Sequence, residues 1–325
     1  MNSTKTAFVF PAFVSEYLGN EIDIIRNLSG DFDAFLSITT ACGLPEFKDF
    51  SLANETYIQN ELYSQISSYL FGCSMAKALI DKAIIPELLA GNSMGLYAAL
   101  YCSGAVSFED GLKLIRKAYE LIQLEIKGEE MGMGAIVGLE LKDMEKIVEQ
   151  LNNGAFIANK NGEYSYLISG RKERIEEALA LAKNEGTLFT SKVLVRSPYH
   201  TEFIKNAALQ LGSFIDQQIS INEPQVKIIS SVDQLELMTP NQIREELIDN
   251  IYHPINWYAS MVHMIENGTD RFIECGAGNT LTKLARFIKG DFKVYPINKI
   301  NKLVRIIFFK NTGNPDNNGF FMKNL

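Results

Sequence analysis

Apolar positions follow two rhythms along this chain. Short runs of three or four apolar residues, ended by Pro or Gly, alternate with longer stretches in which apolar positions recur every three or four residues. The short runs predict strands buried on both faces, and the longer stretches predict helices that bury one face. The first strand is Ala7 to Phe10, closed by Pro11, with helical patterning after it over residues 17–27 and 58–81. Leu88-Leu89-Ala90, closed by Gly91, is a second buried strand. A helix over 94–102 follows at once, and Gly104 suits its C-terminal cap. A longer amphipathic helix covers 108–127, with Glu109 and Asp110 in the first turn, where the helix dipole favours acids.

Near Gly128 the pattern changes. Strands are expected at 135–137, 156–158, 166–168 and 191–195, with helices at 143–150 and 172–184. The resulting β-α-β-β-α-β order is that of a ferredoxin-like unit. After His200 the α/β pattern resumes, with helices at 203–218, 240–250 and 256–267 and a late strand at 271–275 running into Gly276-Ala277-Gly278. The expected fold is therefore α/β: a hydrolase-like domain with a parallel sheet (1–128 and 198–303), carrying a ferredoxin-like insertion (129–197). Residues 304–325, rich in Asn and Gly, are expected to form a poorly ordered tail.

Composition narrows the function classes. The chain has 325 residues, 46% of them hydrophobic and 22% charged, which is ordinary for a globular protein with a sizeable core. The net charge of −8, with no block of Lys or Arg, argues against a nucleic-acid partner. The four cysteines (Cys42, Cys73, Cys102, Cys275) form no Cys-x-x-Cys pair, and three read as reduced core residues; no metal site is expected. The N-terminus enters a buried strand directly and does not read as a secretory leader, and no segment reaches the roughly 20 apolar residues of a membrane span. The expectation is a cytoplasmic monomer.

Gly91-Asn92-Ser93-Met94-Gly95 carries the clearest chemistry. Gly-x-Ser-x-Gly between a buried strand and a helix is a nucleophile elbow, in which a tight turn exposes the serine hydroxyl and the helix start aims N–H groups at the reacting oxygen. The pentapeptide also occurs in incidental loops; its strand-before, helix-after setting is what favours Ser93 as nucleophile. Serine needs a base, and the chain has three histidines. His253 precedes Pro254 and His263 lies in an amphipathic helix, positions that suit structural or surface roles. His200 follows the last strand of the inserted unit, where a loop at the domain junction can reach Ser93. Spacing alone leaves open that His200 is a surface-loop histidine.

With these residues in place, the chain resembles the malonyl-CoA:acyl-carrier-protein transacylase family, the acyltransferases of fatty-acid and polyketide synthesis. Phe8 to Pro11 resembles the family's opening strand, and Ala90 to Leu100 its Gly-His-Ser-Leu-Gly-Glu-Tyr block. Ile168-Ser169-Gly170 resembles the end of a strand in the small subdomain, Ser197 to Thr201 the histidine loop, and Glu274 to Thr282 the Glu-Val-Gly-Pro-Gly block. The resemblance runs from about residue 5 to 303. It implies an active site between the two domains and ping-pong chemistry through an acyl-serine. Acyl-CoA and phosphopantetheine thioesters would be the substrates, with no bound cofactor and an acyl carrier protein as partner. It further implies backbone oxyanion donors at Met94 and Phe13, a backbone carbonyl at Asn267 orienting the histidine, and an acyl pocket around Ala118, Ile122 and Tyr199.

Four departures from the family pattern stand out. Ala12-Phe13-Val14-Ser15-Glu16 replaces a glycine-rich stretch, Asn92 replaces the histidine before the serine, and Leu96 replaces a glutamate. Ala118 stands where the family carries the arginine that pairs with malonate, while Arg116 and Lys117 lie roughly 200° and 100° around the helix. A malonyl carboxylate buried without a cation would cost a few kcal/mol, a discrimination of about a hundredfold. An uncharged group such as acetyl is therefore the expected acyl group. The alternatives are a thioester hydrolase on the same scaffold and a non-catalytic docking partner for carrier protein. An ordinary esterase is disfavoured by the inserted unit.

Overall fold

The computed structural model describes residues 4–28 and 31–312. Among the described residues ten strands run in chain order: β1 (Lys5–Phe10), β2 (Leu88–Gly91), β3 (Met131–Val137), β4 (Ala155–Gly162), β5 (Ser165–Arg171), β6 (Phe189–Val193), β7 (Lys227–Ile229), β8 (Glu236–Leu237), β9 (Thr269–Glu274) and β10 (Lys293–Tyr295). Six form one sheet in the order β10-β9-β1-β2-β7-β8, parallel throughout except for the edge strand β8.

The central strands β1 and β2 explain their apolar runs. Phe8, Phe10 and Leu89 point into the main core, which the helices Glu61–Asp81, Gly95–Cys102 and Phe108–Glu125 complete. Their neighbours Ala7, Val9, Leu88 and Ala90 point the other way, into a second core with Trp257, Met261 and Met264. With both faces covered, alternation vanishes and the strand reads as continuously apolar. β1 pairs with β2 on one side and β9 on the other, so the loops after their C-terminal ends converge, where ligands lodge in open α/β sheets.

The other four strands form an antiparallel sheet, β4-β5-β3-β6, with the helices Leu141–Glu149 and Lys172–Asn184 closing a separate small core over it. This sheet is anchored beside the elbow by backbone bonds from Ile255 N–H to the Ala158 carbonyl (3.0 Å) and from Lys160 N–H to the Ile255 carbonyl (3.1 Å).

Three local differences from the sequence reading have physical causes. The first helix begins only at Glu21, because the buried Glu21 carboxyl takes the N–H groups of Leu18 (2.5 Å) and Gly19 (2.9 Å) and holds the preceding residues in a turn. A helix at Phe32–Ala41 was masked by its threonines, whose hydroxyls bond back to the carbonyls of Phe35 and Leu36 and so tolerate helical backbone. The chain was expected to lose order after 303, yet the last helix, Ile300–Thr312, continues, with Leu303 and Val304 buried in the main core. The rest of the expected tail, 313–325, lies outside the described residues.

Glu274 ties the end of β9 to the helix Thr280–Ala285. Its fully buried carboxyl accepts the N–H groups of Leu281 (2.8 Å) and Thr282 (2.9 Å) and the Thr282 hydroxyl (2.6 Å). Glu274→Ala leaves these helix-start donors unpaired, and a loss of about 3 kcal/mol in urea unfolding is expected. Glu274→Gln, which keeps one acceptor oxygen, should lose clearly less.

Candidate active site

The turn after β2 is tight enough to bring three backbone segments into contact. A Cβ on Gly91 would sit 2.1 Å from the Leu96 nitrogen, and one on Gly95 would sit 2.1 Å from the Phe10 carbonyl oxygen. Between these glycines Ser93 adopts φ +54°, the left-handed region that side chains rarely enter. Strain of this kind persists only where the surroundings enforce it, and here the Asn92 N–H is bound to the Phe10 carbonyl at 2.9 Å.

His200 is held just as firmly. It too is left-handed, at φ +63°, and its N–H donates to the Ile251 carbonyl at 2.8 Å. The Thr201 hydroxyl closes the same loop on the Pro198 carbonyl at 2.6 Å. Two residues 107 apart in sequence are thereby brought together: Ser93 Oγ lies 2.7 Å from His200 Nε2. Both side chains are buried, at 6% and 2% exposure. Burial lowers the imidazole pKa from its ordinary 6.5 to about 4, against a smaller opposing pull from the backbone carbonyls of His253 and Asn250. At neutral pH the ring is uncharged, with Nε2 free to accept the serine proton.

Among the described residues no carboxylate bonds to this ring. Nδ1 is buried without a hydrogen bond of normal geometry, close to the carbonyls of Asn250 and His253 at the end of the helix Pro240–Tyr252. The expectation that Asn267 supplies this carbonyl is corrected. The Asn267 carbonyl accepts from Lys5 Nζ at the opposite, N-terminal end of β1, 3.2 Å away. The signal in the sequence was Pro254, which cannot extend a helix and leaves the preceding turn's carbonyls free for other donors.

Phe13 lies in the loop after β1, and among the described residues neither its N–H nor that of Met94 takes part in a hydrogen bond. The stretch from Ala12 to Glu16 holds its shape without glycines because none of these five residues has positive φ. Ser68 and Ser64, on the helix Glu61–Asp81, donate to the carbonyls of Pro11 and Val14 at 3.0 Å each and fix its path. Asn92, in place of the family's histidine, accepts from Asn159 Nδ2 (3.2 Å) and donates to Asn161 Oδ1 (3.4 Å). Two asparagines two residues apart on β4 thus bind the small sheet to the elbow, a role that the period-2 spacing could have suggested.

A cavity of about 350 Å³ opens beside Asn92, between the Phe13 loop, Glu61 and Ser64, the β4 asparagines and the chain around Leu194. Ala118, Ile122 and Tyr199 were expected to line it. They are instead buried in the main core with Phe13 and Val14, and only Tyr199 connects to its wall, through a 6.2 Å ring contact with Phe13. Neither nearby cation faces the site: Arg116 donates to the Cys42 carbonyl at 2.7 Å, and Lys117 lies over the Phe214 ring. His253 Nδ1 lies 3.4 Å from Asp249 Oδ1. Burial raises all four thiols, Cys102 to about 12, so none competes as a nucleophile at neutral pH. Among the described residues no cluster of three or more His, Cys, Asp or Glu is placed to hold a metal ion.

Comparison with known proteins points the same way. The model of the acyl transferase domain family matches residues 64–288. A malonyl CoA-acyl carrier protein transacylase of Haemophilus influenzae is 30% identical over 307 residues, covering 91% of this chain and 96% of that protein. A polyketide biosynthesis malonyl CoA-acyl carrier protein transacylase of Bacillus subtilis is 30% identical over 275 residues, covering 82% and 94%. The solved malonyl CoA-acyl carrier protein transacylase of Coxiella burnetii superposes with a TM-score of 0.80 at 28% identity, over 93% of this chain and 97% of that one.

The His200 environment has a measurable consequence. Between pH 6.5 and about 4 the unfolded chain binds the proton that the folded ring refuses, so stability is expected to fall as pH drops through that window, by about 3 kcal/mol. A ring titration by NMR should show a midpoint near 4; a midpoint near 6.5 would mean that the imidazole is solvated.

Proposed function

The chain belongs to the acyl transferase domain family and is an acyltransferase of the malonyl CoA-acyl carrier protein transacylase kind, and we propose that it moves an uncharged acyl group through Ser93 onto the phosphopantetheine thiol of an acyl carrier protein. The observation that carries this reading is the 2.7 Å contact between Ser93 Oγ and a buried, neutral His200 Nε2.

In the first half-reaction Ser93 Oγ attacks the thioester carbonyl of acyl-CoA while His200 Nε2 takes its proton. The N–H groups of Met94 and Phe13 receive the developing oxyanion, which suits their freedom from other hydrogen bonds. The carbon–sulfur bond breaks, the CoA sulfur leaves with the proton held on His200, and an acyl-serine remains. The carrier thiol then attacks that ester, its proton passing to His200 and on to Ser93 as the oxygen leaves. The imidazolium formed midway is stabilised by the carbonyls of Asn250 and His253 at the C-terminal end of a helix, where the dipole favours a positive charge.

The restriction to uncharged groups rests on Ala118 and on the diversion of the two cations before it, Arg116 to Cys42 and Lys117 to Phe214. A malonyl carboxylate in the cavity would find neither Arg116 nor Lys117 turned toward it, and its desolvation would go uncompensated by either. The carrier protein is proposed from the names of the relatives, each a malonyl CoA-acyl carrier protein transacylase.

Intact-protein mass spectrometry tests this. Acetyl-CoA is expected to add an acetyl group to the protein, absent in Ser93→Ala, and to load about a hundredfold faster than malonyl-CoA. The adduct should then move to added holo-carrier protein. Its loss as free acid with no transfer would point to the hydrolase, and no adduct from any thioester would sink the acyl-serine account. His200→Ala should slow loading by a factor of about a thousand.

A further inference from the structure

Three main-chain carbonyls hold His200, and all come from the end of the helix Pro240–Tyr252 and its cap, His253. Ile251 accepts the His200 N–H at 2.8 Å, and Asn250 and His253 lie beside the ring. One turn before Asn250, on the same helix face, Glu246 is 5% exposed. Its Oε2 accepts the Ser230 hydroxyl at 2.6 Å, and its Oε1 accepts the Ser231 N–H at 3.3 Å and Asn250 Nδ2 at 3.4 Å. Asn250 Nδ2 also donates to the Ser231 hydroxyl oxygen at 2.9 Å. Ser230 Oγ in turn accepts the N–H groups of Val232 and Asp233 at 3.1 Å each. The helix end is thereby fastened to the turn that follows β7, and β7 pairs with β2, the strand that leads into the Ser93 elbow. Burial raises the Glu246 pKa, and the bonds from Ser230, Asn250 and Ser231 oppose that rise. An apolar side chain would fill the same volume without desolvating a carboxyl, so stability alone gives little reason for an acid at this position.

We propose that Glu246 is a positioning residue for the acyl-transfer base: it locks the Asn250 end of the helix to the strand beside the elbow, and so sets which nitrogen of His200 carries the proton. With the carbonyls of Asn250 and His253 held beside Nδ1, the neutral ring keeps its proton there and leaves Nε2 open toward Ser93. Without the carboxyl, the Ser230 hydroxyl and the Ser231 N–H lose their acceptor, Asn250 loses one of two, and the helix end is freed to move relative to β7. A ring released from those carbonyls can carry its proton on Nε2, the tautomer that cannot take a proton from Ser93. This inference rests on the acyl-serine reading and adds the group that keeps its base in register.

The test uses the full chain and two readouts at neutral pH. One is the rate of Ser93 acylation as a function of acetyl-CoA concentration, and the other is the pair of His200 ring-nitrogen chemical shifts, which distinguish the two tautomers. Glu246→Met is expected to lower the saturating rate by roughly ten- to a hundredfold, the cost of a small misplacement, with the half-saturating concentration unchanged. The same variant should move the ring toward the Nε2-protonated form. Glu246→Gln, which keeps an acceptor oxygen for Ser231 and Asn250, should recover most of the rate. Ser231→Ala removes only an Asn250 acceptor and leaves the carboxyl in place, so it decides the matter should Glu246→Met fail to fold; both readouts should shift in the same direction, by less. A merely structural role would lower the melting temperature of these variants while the folded protein kept its rate and its tautomer, and that result overturns the proposal. So does a ring protonated on Nε2 in the unmodified protein. Absence of an adduct from any thioester would instead overturn the acyl-serine reading, while the tautomer shift would still report on Glu246.

Discussion

The close approach of main chains at the elbow governs everything around Ser93. Gly91 and Gly95 allow β2, the following helix and the end of β1 to meet at distances no side chain could share. That contact presses Ser93 into left-handed backbone and lifts its hydroxyl toward the convergence of three loops. The other parts of the site are arranged around this fixed point. The β4 asparagines bind to Asn92, the residue before the serine, and the Phe13 loop follows directly from the strand whose carbonyl touches Gly95. An added methyl group at either glycine would disturb Ser93, the start of the Phe13 loop and the junction between the two sheets together.

The second constraint is electrostatic. His200 is buried and faces main-chain carbonyls in place of a carboxylate, so nothing at rest favours its charged form strongly enough to offset desolvation. A base with a depressed pKa stays fully available at neutral pH but binds its proton weakly, which suits a step in which the proton must be returned at once to a leaving sulfur. Carbonyls at a helix end give orientation and partial negative charge without a full anion next to the acyl group. In this cavity, where Glu61 already supplies one carboxyl, a second acid beside the histidine would further oppose the oxyanion.

Much of this was legible in the sequence because the relevant signals are local. The strand–Gly-x-Ser-x-Gly–helix succession fixes the elbow within a dozen residues, and the apolar runs at 7–10 and 88–90 mark the two central strands. The β-α-β-β-α-β succession was likewise readable, each element carrying its own periodicity. What failed depends on long-range placement. Asn267 and Asn250 both lie at helix ends, and only the sheet's direction shows that one lies near the N-terminal end of β1 while the other lies beside His200. The acyl-pocket residues were placed by helix position, but burial of Ala118 and Ile122 in the core reflects how the helix Phe108–Glu125 packs, which no local pattern states. Glu61 and Ser64 went unread because polar residues at helical spacing usually mark a solvated face, whereas this helix is buried over most of its length.

The two serine hydroxyls that pin the Phe13 loop belong to the same helix that presents Glu61 to the cavity. One wall of the cavity and the geometry of one candidate oxyanion donor are therefore built on a single rigid rod. A glycine-rich loop could drift to suit a new acyl group while the rod stayed put; here any shift of the rod moves both at once. New substrates should accordingly be reached through exchange of individual side chains along that helix, and adaptation by loop remodelling is largely closed to this enzyme.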